Sequence, residues 1–151
     1  MNEDAKKRAL RLLEKRDYSR KMLMDKLTEK GASEEDAREV ADWLCELGVI
    51  DDARFAELVV RHYAQKGYGE KRIREELYRR GIDRELWEDA LAALPRADDA
   101  VYLLLRSRLK ARDGSPEALQ KAHSYLLRRG YSYGEIRAAL ERYQSEIEET
   151  L

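Results

Sequence analysis

Residues 68–81 read YGEKRIREELYRRG. This run places an aromatic and a small residue ahead of two apolar residues, Ile73 and Leu77, and it ends at Gly81. The four-residue step between Ile73 and Leu77 sets them on one face of a helix. A glycine is suited to end that helix, because it adopts positive φ without a steric penalty. The run therefore predicts a short amphipathic helix between two turns.

The same pattern occurs in three places along the chain. Each copy has a tyrosine, then a small or capping residue, then apolar residues five and nine positions after the tyrosine. Self-similarity of this kind indicates tandem helical repeats, which bury their core by packing side by side. We expect the following residues to be structural anchors, with Phe55 on the helix before the second copy: Tyr18, Leu23, Leu27, Phe55, Tyr68, Ile73, Leu77, Tyr131, Ile136 and Leu140.

Capping residues and glycines divide the chain into nine predicted helices, and no alternating strand pattern is present. Predicted N-caps are Ser19, Ser33, Asp83, Ser115 and Ser132. The seventh helix is predicted to run to about Arg112.

The predicted fold is all-α, with three tandem three-helix repeats. They span residues 1–50, 51–94 and 95–151, and the last has an acidic C-terminal end. Because three-helix units bury little core alone, we expect an elongated array of neighbouring repeats rather than one nine-helix globule.

The composition favours exposed amphipathic helices and excludes several classes of protein. Charged residues are 40% of the chain and hydrophobic residues 43%, with a net charge of −1. The near-zero net charge argues against a protein that coats nucleic acid by charge alone. The N-terminus lacks the apolar segment of a signal peptide, and we expect a soluble cytoplasmic protein. The single cysteine, Cys45, is predicted to be a buried structural thiol.

No arrangement of residues indicates catalysis, and we expect neither a metal nor a cofactor. Asp51 and Asp52 are adjacent carboxylates without a spaced histidine or third carboxylate, so helix capping is the favoured interpretation. His62 and His123 are isolated from each other in the sequence and have no suitably spaced partners, so we expect them to be ordinary surface or boundary residues. The glycines around Tyr68 follow no strand and precede no phosphate-loop lysine, so a nucleotide site is not predicted.

Several ordered runs of this sequence resemble the RecX family of recombinase regulators. The central run comprises residues 51–56, 66–69, 72–73, 76–77 and 81–82, and residues 125–132 resemble the family's C-terminal signature. The first repeat fits more loosely, and the resemblance covers about residues 5–143. One departure is Asp17, which stands where the other two copies have Gly67 and Gly130.

The resemblance implies a non-enzymatic, usually monomeric regulator made of three three-helix repeats in a curved array. Such a protein binds the RecA recombinase filament on single-stranded DNA. There it inhibits ATP hydrolysis and strand exchange, and so acts negatively on recombination and on SOS DNA repair.

Basic residues cluster on the second and third repeats, where they have two interpretations. One is a solvated helix face with ion pairs to neighbouring glutamates. The other is contact with an acidic filament surface or with DNA phosphates. The residues that we expect to bind RecA or DNA are Arg54, Lys66, Lys71, Arg72, Arg74, Arg79, Arg80, Arg128 and Arg129.

Two alternatives to a filament regulator stay open at this stage. One is a direct nucleic-acid binder, and the other is a helical scaffold for a different partner.

Overall fold

The computed structural model describes residues 1–95, 97–109 and 113–149. Within these ranges the chain forms nine α-helices and no strand, as the sequence predicts. The helices are α1 (Glu3–Lys15), α2 (Arg20–Glu29), α3 (Glu34–Glu46), α4 (Asp52–Gln65), α5 (Glu70–Arg79), α6 (Trp87–Leu91), α7 (Ala97–Arg108), α8 (Pro116–Arg128) and α9 (Tyr133–Glu149). The predicted end of the seventh helix near Arg112 lies outside the described residues.

Two of the three tyrosines of the repeated pattern, Tyr68 and Tyr131, follow the same kind of helix ending. Gly67 has φ +86°, and the next amide, that of Tyr68, donates to the carbonyl of Tyr63 at 3.0 Å. The amide of Tyr131 likewise donates to the carbonyl of Leu126 at 3.2 Å. This is the Schellman ending, in which the residue after the glycine packs on the residue five positions earlier. Tyr63 and Leu126, which precede these two tyrosines by five positions, therefore supply the carbonyls that accept the hydrogen bond closing each helix end.

The helix ending before Tyr18 is different, because Asp17 occupies the position that glycine has in the other two copies. Helix α1 ends at Lys15, and Arg16 is already extended, with φ −165° and ψ 166°. The Cβ of an aspartate has a steric cost in the left-handed conformation that the Schellman ending needs, and glycine avoids this cost. The chain therefore leaves α1 directly in an extended conformation.

The predicted serine caps are confirmed. The hydroxyls of Ser19, Ser33 and Ser115 each accept from the amide three residues later, at 3.1, 3.1 and 3.3 Å. Ser132 forms the full capping box: its hydroxyl accepts from the amide of Glu135 at 3.1 Å, and the Glu135 carboxylate accepts from the amide of Ser132 at 2.8 Å.

The prediction that Asp83 caps the sixth helix is wrong. Its side chain makes no capping hydrogen bond, and the chain first forms a 3₁₀ turn, Arg84–Leu86, before the short helix α6. The tighter turn satisfies the first amides with i→i+3 bonds, as in the bond from the Leu86 amide to the Asp83 carbonyl at 3.0 Å.

The described helices group into two compact units. The first unit comprises Met1–Val59 and Glu76–Ala92, and the second comprises Val60–Glu75 and Ala93–Leu151. In the first unit, alanines on α1 pack on α2 and α3 around a core of Ala5, Ala9, Leu23, Leu27, Ala37, Val40, Leu44 and Ile50. In the second unit, α7, α8 and α9 enclose a core of Val101, Tyr102, Leu105, Leu109, Ala122, Leu126, Tyr131, Ile136, Ala139 and Tyr143.

The expected anchor residues differ in how deeply they are buried. The fully buried ones are Leu23, Leu27, Ile73, Leu77 and Ile136, and Tyr131 is also buried. The others, Tyr18, Phe55, Tyr68 and Leu140, are partly buried. The three tyrosines of the repeats therefore lie at different depths.

We predict that Gly130→Ala destabilises the protein by about 3 kcal/mol. The residue has φ +97°, and an added methyl group would lie 2.6 Å from the backbone nitrogen of Arg72. The free energy of unfolding in urea measures this effect. The matched control is Gly134→Ala in the first turn of α9, where the new methyl group would meet only the Ser132 hydroxyl at 4.0 Å. The control should be neutral or slightly stabilising, and equal effects of the two substitutions would contradict the prediction.

Candidate functional site

The C-terminal end of α8 rests on the N-terminal end of α5 in the second unit. The amide of Gly69 donates to the carbonyl of Arg129 at 2.6 Å, and the amide of Lys71 donates to the carbonyl of Gly130 at 3.2 Å. These bonds satisfy amides at a helix start with carbonyls at a helix end, both of which lack partners within their own helices. A side chain at Gly69 would collide with the Gly130 carbonyl, so the close approach requires glycine at both positions. We call this contact the α5–α8 corner.

The side chain of Arg129 packs across the α5–α8 corner. Its guanidinium lies 4.0 Å from the centroid of the Tyr68 ring and 5.6 Å from that of Tyr125. One of its terminal nitrogens donates to the carbonyl of Lys66. Arg129 therefore acts within the fold, through two aromatic rings and a backbone carbonyl.

Tyr131 closes the inner side of the same corner. Its hydroxyl donates to the carbonyl of Gly67 at 3.0 Å, and its ring is buried. Burial raises the pKa of the Tyr131 phenol, and the nearby Arg129 partly offsets this rise. The phenol therefore stays protonated and remains a hydrogen-bond donor at neutral pH.

Two further arginines extend a cluster of cations and aromatic rings around the corner. Arg72 lies 4.8 Å from the Tyr68 centroid, and Arg108 lies 4.2 Å from the Tyr125 centroid. We call Tyr68, Arg72, Arg108, Tyr125 and Arg129 the cation–aromatic cluster. Arg108 was missed by the sequence analysis, because it and Tyr125 come from different helices and no spacing relates them.

A related corner exists in the first unit, where the end of α5 meets the start of α2. The hydroxyl of Ser19 donates to the carbonyl of Arg80, while it also caps its own helix. A side chain at Gly81 would collide with the side chain of Lys21. The sequence Arg-Arg-Gly thus ends a helix at both corners, at residues 79–81 and at residues 128–130.

Arg79 and Arg80 both bind the buried carboxylate of Glu76. Glu76 is only 1% exposed. A terminal nitrogen of Arg79 lies 3.1 Å from its carboxylate, and Arg80 makes a short ion pair with the same carboxylate. Arg80 also donates to the backbone carbonyl of Glu76 at 3.1 Å. The Arg80 side chain is 23% exposed and that of Arg79 is 69% exposed. Arg79 therefore presents most of its surface to solvent, whereas Arg80 faces inward.

The remaining expected binding residues lie on the surface. Lys66, Lys71 and Arg128 in the second unit are exposed, and so is Arg54 in the first. Arg74 forms an i,i+4 ion pair with Glu70 at 3.6 Å, as a solvated helix face would. The exposed second-unit cations Lys66, Lys71 and Arg128 are the ones best placed to meet an external anion, and we call them the exposed cation set.

The capping interpretation of the two adjacent carboxylates is confirmed, with one difference. Asp51 accepts from the amide of Arg54 at 3.2 Å and caps its own helix, α4. Asp52 instead accepts from the amide of Arg20 at 2.9 Å and so caps α2. Burial raises the pKa of the Asp52 carboxyl, the bond from the Arg20 amide lowers it, and the charge of Asp83 raises it further.

Cys45 is half-buried against the core of the first unit. Burial and the charge of Asp52 raise the pKa of its thiol, which keeps the thiol protonated and weakly reactive. Among the described residues there is no group of three or more His, Cys, Asp or Glu side chains that could hold a metal ion. In the same part of the chain, no helix is long and apolar enough to cross a membrane.

Comparison with known proteins identifies relatives over most of the chain. The family model for the first three-helix domain of RecX matches residues 5–44, and the model for the second three-helix domain matches residues 51–91. The regulatory protein RecX of Chromohalobacter salexigens is 35% identical over 133 residues, which are 87% of this chain and 88% of that protein. The regulatory protein RecX of Xanthomonas axonopodis pv. citri is 40% identical over 134 residues, 87% of this chain and 83% of that protein.

A solved structure gives the same result. The crystal structure of RecX from Lactobacillus salivarius superposes with a TM-score of 0.82 at 26% identity, covering 93% of this chain and 95% of that one.

We predict that Arg129→Ala destabilises the protein by about 2 kcal/mol, because two cation–aromatic contacts and one hydrogen bond are lost. Arg128→Ala is the matched control. The side chain of Arg128 is exposed, so its removal should change the free energy of unfolding by no more than about 0.5 kcal/mol. Urea denaturation followed by circular dichroism measures both. A loss of stability from Arg128→Ala as large as that from Arg129→Ala would contradict the prediction.

We also predict that Asp52→Asn becomes progressively more stabilising, relative to the native protein, as pH rises from about 4. The folded-state pKa of Asp52 lies above its unfolded value, so the native protein loses stability as pH rises through the folded pKa. Asparagine carries no charge and keeps an oxygen for the Arg20 amide. Free energies of unfolding measured across this pH window test the sign, and a stability advantage that shrinks with rising pH would contradict it.

Proposed function

The chain belongs to the RecX family of regulatory proteins, and we propose from this that it binds the RecA filament on single-stranded DNA as a monomer. Bound there, it inhibits ATP hydrolysis and strand exchange by RecA, and so acts negatively on recombination and on SOS DNA repair.

The main support for the proposal is how much of the chain is similar to proteins named regulatory protein RecX. Relatives named regulatory protein RecX match 87% of this chain and 83 to 88% of their own length, so the likeness covers almost the whole of both proteins. The runs that resemble the family include residues of both corners, namely Gly81 in the first unit and residues 128–130 in the second. A helical regulator without a catalytic step is consistent with this set of residues.

We assign the charge contacts with the filament to the exposed cation set. Lys66, Lys71 and Arg128 are exposed, and in the described part of the chain no ion pair engages their side chains. Arg79, with 69% of its side chain exposed, is a further contact. Arg80 and Arg129 are not assigned to these contacts, because their guanidinium groups are occupied by Glu76 and by Tyr68.

The inhibition that we propose is geometric. A helical protein that binds neighbouring RecA protomers would hinder the movements required for ATP turnover and the approach of a second DNA. Since the net charge is only −1, binding would depend on the local cations and would weaken with added salt.

A second candidate function is direct binding of single-stranded DNA. The cation–aromatic cluster favours it, since guanidinium groups bind phosphates and tyrosine rings stack on bases. In this chain Arg108 and Arg129 already lie over Tyr125 and Tyr68, so these faces would have to be released before they could stack on a base. A steep salt dependence of binding to DNA alone would support this candidate.

The proposal is tested by the single-stranded-DNA-dependent ATPase of a cognate RecA with increasing amounts of the protein. We predict a loss of ATPase activity at near-stoichiometric amounts. For the double variant Lys71→Glu with Arg128→Glu, the amount needed for half-inhibition should rise about tenfold. Arg137→Glu is the control, because Arg137 is exposed but lies outside the assigned surface.

The possible outcomes separate the function from the surface. No inhibition by the native protein would overturn the proposed function. Inhibition that is equally strong in the double variant, with unchanged circular dichroism, would leave the function standing and remove these cations from it.

A further inference from the structure

The two Arg-Arg-Gly endings differ in the residue one turn before their arginines. In the first unit, the residue three positions before Arg79 is Glu76. In the second unit, the residue three positions before Arg128 is Tyr125. Side chains three and four positions apart are neighbours on a helix surface, so this residue can contact both arginines. The first ending therefore offers its arginines a carboxylate, whereas the second offers an aromatic ring.

The carboxylate of Glu76 anchors the guanidinium of Arg79. Nη1 of Arg79 donates to Oε1 of Glu76 at 3.1 Å, and the Glu76 side chain is only 2% exposed. Arg80 binds the other carboxylate oxygen of Glu76, which is therefore held from two sides. A packed and hydrogen-bonded side chain has few alternative rotamers, so it fixes the group that it binds. Arg128 has no such anchor, because in the described part of the chain it makes no ion pair.

The opposite edge of the Arg79 guanidinium is available to a partner. Nε and Nη2 of an arginine carry two parallel N–H groups, which match the two oxygens of a carboxylate. Among the described residues, Arg79 makes no hydrogen bond or ion pair besides the one to Glu76, and 69% of its side chain is exposed. An anchored side chain loses less conformational entropy on binding than a freely rotating one, which strengthens the contact.

The charges near Arg79 in the sequence favour a single carboxylate over a DNA backbone as its partner. Residues 76–92 of the first unit carry five acidic side chains against three arginines. The acidic ones are Glu76, Asp83, Glu85, Glu88 and Asp89. A DNA strand carries a charge on every nucleotide and is bound by several cations together, so a net acidic segment disfavours it. One carboxylate on a protein surface needs only one guanidinium.

We propose that Arg79 binds a carboxylate side chain of RecA through the paired N–H groups of Nε and Nη2, and that Glu76 positions it for this contact. The inference rests on the proposed function and specifies the chemistry of one contact within it. A lysine at this position would keep the charge but would not present two parallel donors. A requirement for arginine therefore distinguishes this directional contact from attraction by charge alone.

The test compares lysine substitutions in the single-stranded-DNA-dependent ATPase assay of RecA. Arg79→Lys should raise the amount of protein needed for half-inhibition about fivefold, since one hydrogen bond of the pair is lost while the charge is kept. Arg84→Lys is the matched control and should leave this amount unchanged. Arg84 is also exposed in the first unit, but it lies over the Trp87 ring and is not assigned to the filament.

A double-mutant cycle tests the role of Glu76. In a Glu76→Gln background, Arg79→Lys should have no further effect on half-inhibition, because the anchor has already been removed. Circular dichroism establishes that each variant is folded. If Glu76→Gln does not fold, the comparison of Arg79→Lys with Arg84→Lys decides the proposal alone.

A third measurement identifies the source of the anion. Binding of the protein alone to a labelled single-stranded oligonucleotide, followed by fluorescence anisotropy, should be the same for the native protein and for Arg79→Lys. A loss of affinity for DNA as large as the loss of inhibition would make the anion a phosphate and would overturn the assignment to RecA.

Two results of the ATPase assay would also overturn the proposal. One is native inhibition by Arg79→Lys, and the other is an equal loss of inhibition from Arg79→Lys and Arg84→Lys. An undiminished effect of Arg79→Lys in the Glu76→Gln background would remove Glu76 from the contact. Failure of the native protein to inhibit RecA is a different outcome, because it overturns the proposed function before any variant is compared.

Discussion

The structure depends on a contact between the end of one helix and the beginning of another, made without intervening side chains. In the α5–α8 corner, the carbonyls of Arg129 and Gly130 accept from the amides of Gly69 and Lys71. A helix end has carbonyls without partners and a helix start has amides without partners, so one contact satisfies both. Glycine is needed because a side chain would separate the two backbones. The corner of the first unit uses the same Arg-Arg-Gly ending, with the Ser19 hydroxyl as the donor to the carbonyl of Arg80.

The two arginines of each Arg-Arg-Gly ending have different roles. The second arginine, Arg80 or Arg129, faces inward and binds Glu76 or the Tyr68 ring. The first arginine, Arg79 or Arg128, is exposed. Adjacent residues on a helix point in different directions, so a fold requirement on one leaves the other available for a partner. In each unit an exposed arginine therefore lies next to the corner that stabilises the fold.

Much of this fold could be predicted from the sequence, because helix ends are encoded locally. The caps at Ser19 and Ser132 and the glycine stops before Tyr68 and Tyr131 depend on residues within one or two turns. Contacts between distant segments could not be predicted in this way. Asp52 caps α2 across 32 positions of sequence, and Arg108 meets Tyr125 from another helix.

The candidate surface was predicted only as a set of basic residues. Sequence could not separate Arg128 from Arg129, because the direction of each side chain follows from tertiary packing. The departure at Asp17 indicated a different turn, but the small pocket that Tyr18 lines beside it requires α1, α3 and α4 together.

The most direct test of the assigned surface is site-specific photocrosslinking from its exposed cations. A photoreactive amino acid is placed at Arg128, at Lys71 and, as the control, at Arg137, and each protein is irradiated with RecA filaments on single-stranded DNA. We predict crosslinks to RecA or to DNA from positions 128 and 71, and none from position 137. Inhibition of RecA without crosslinks from either of the first two positions would contradict the assignment of this surface.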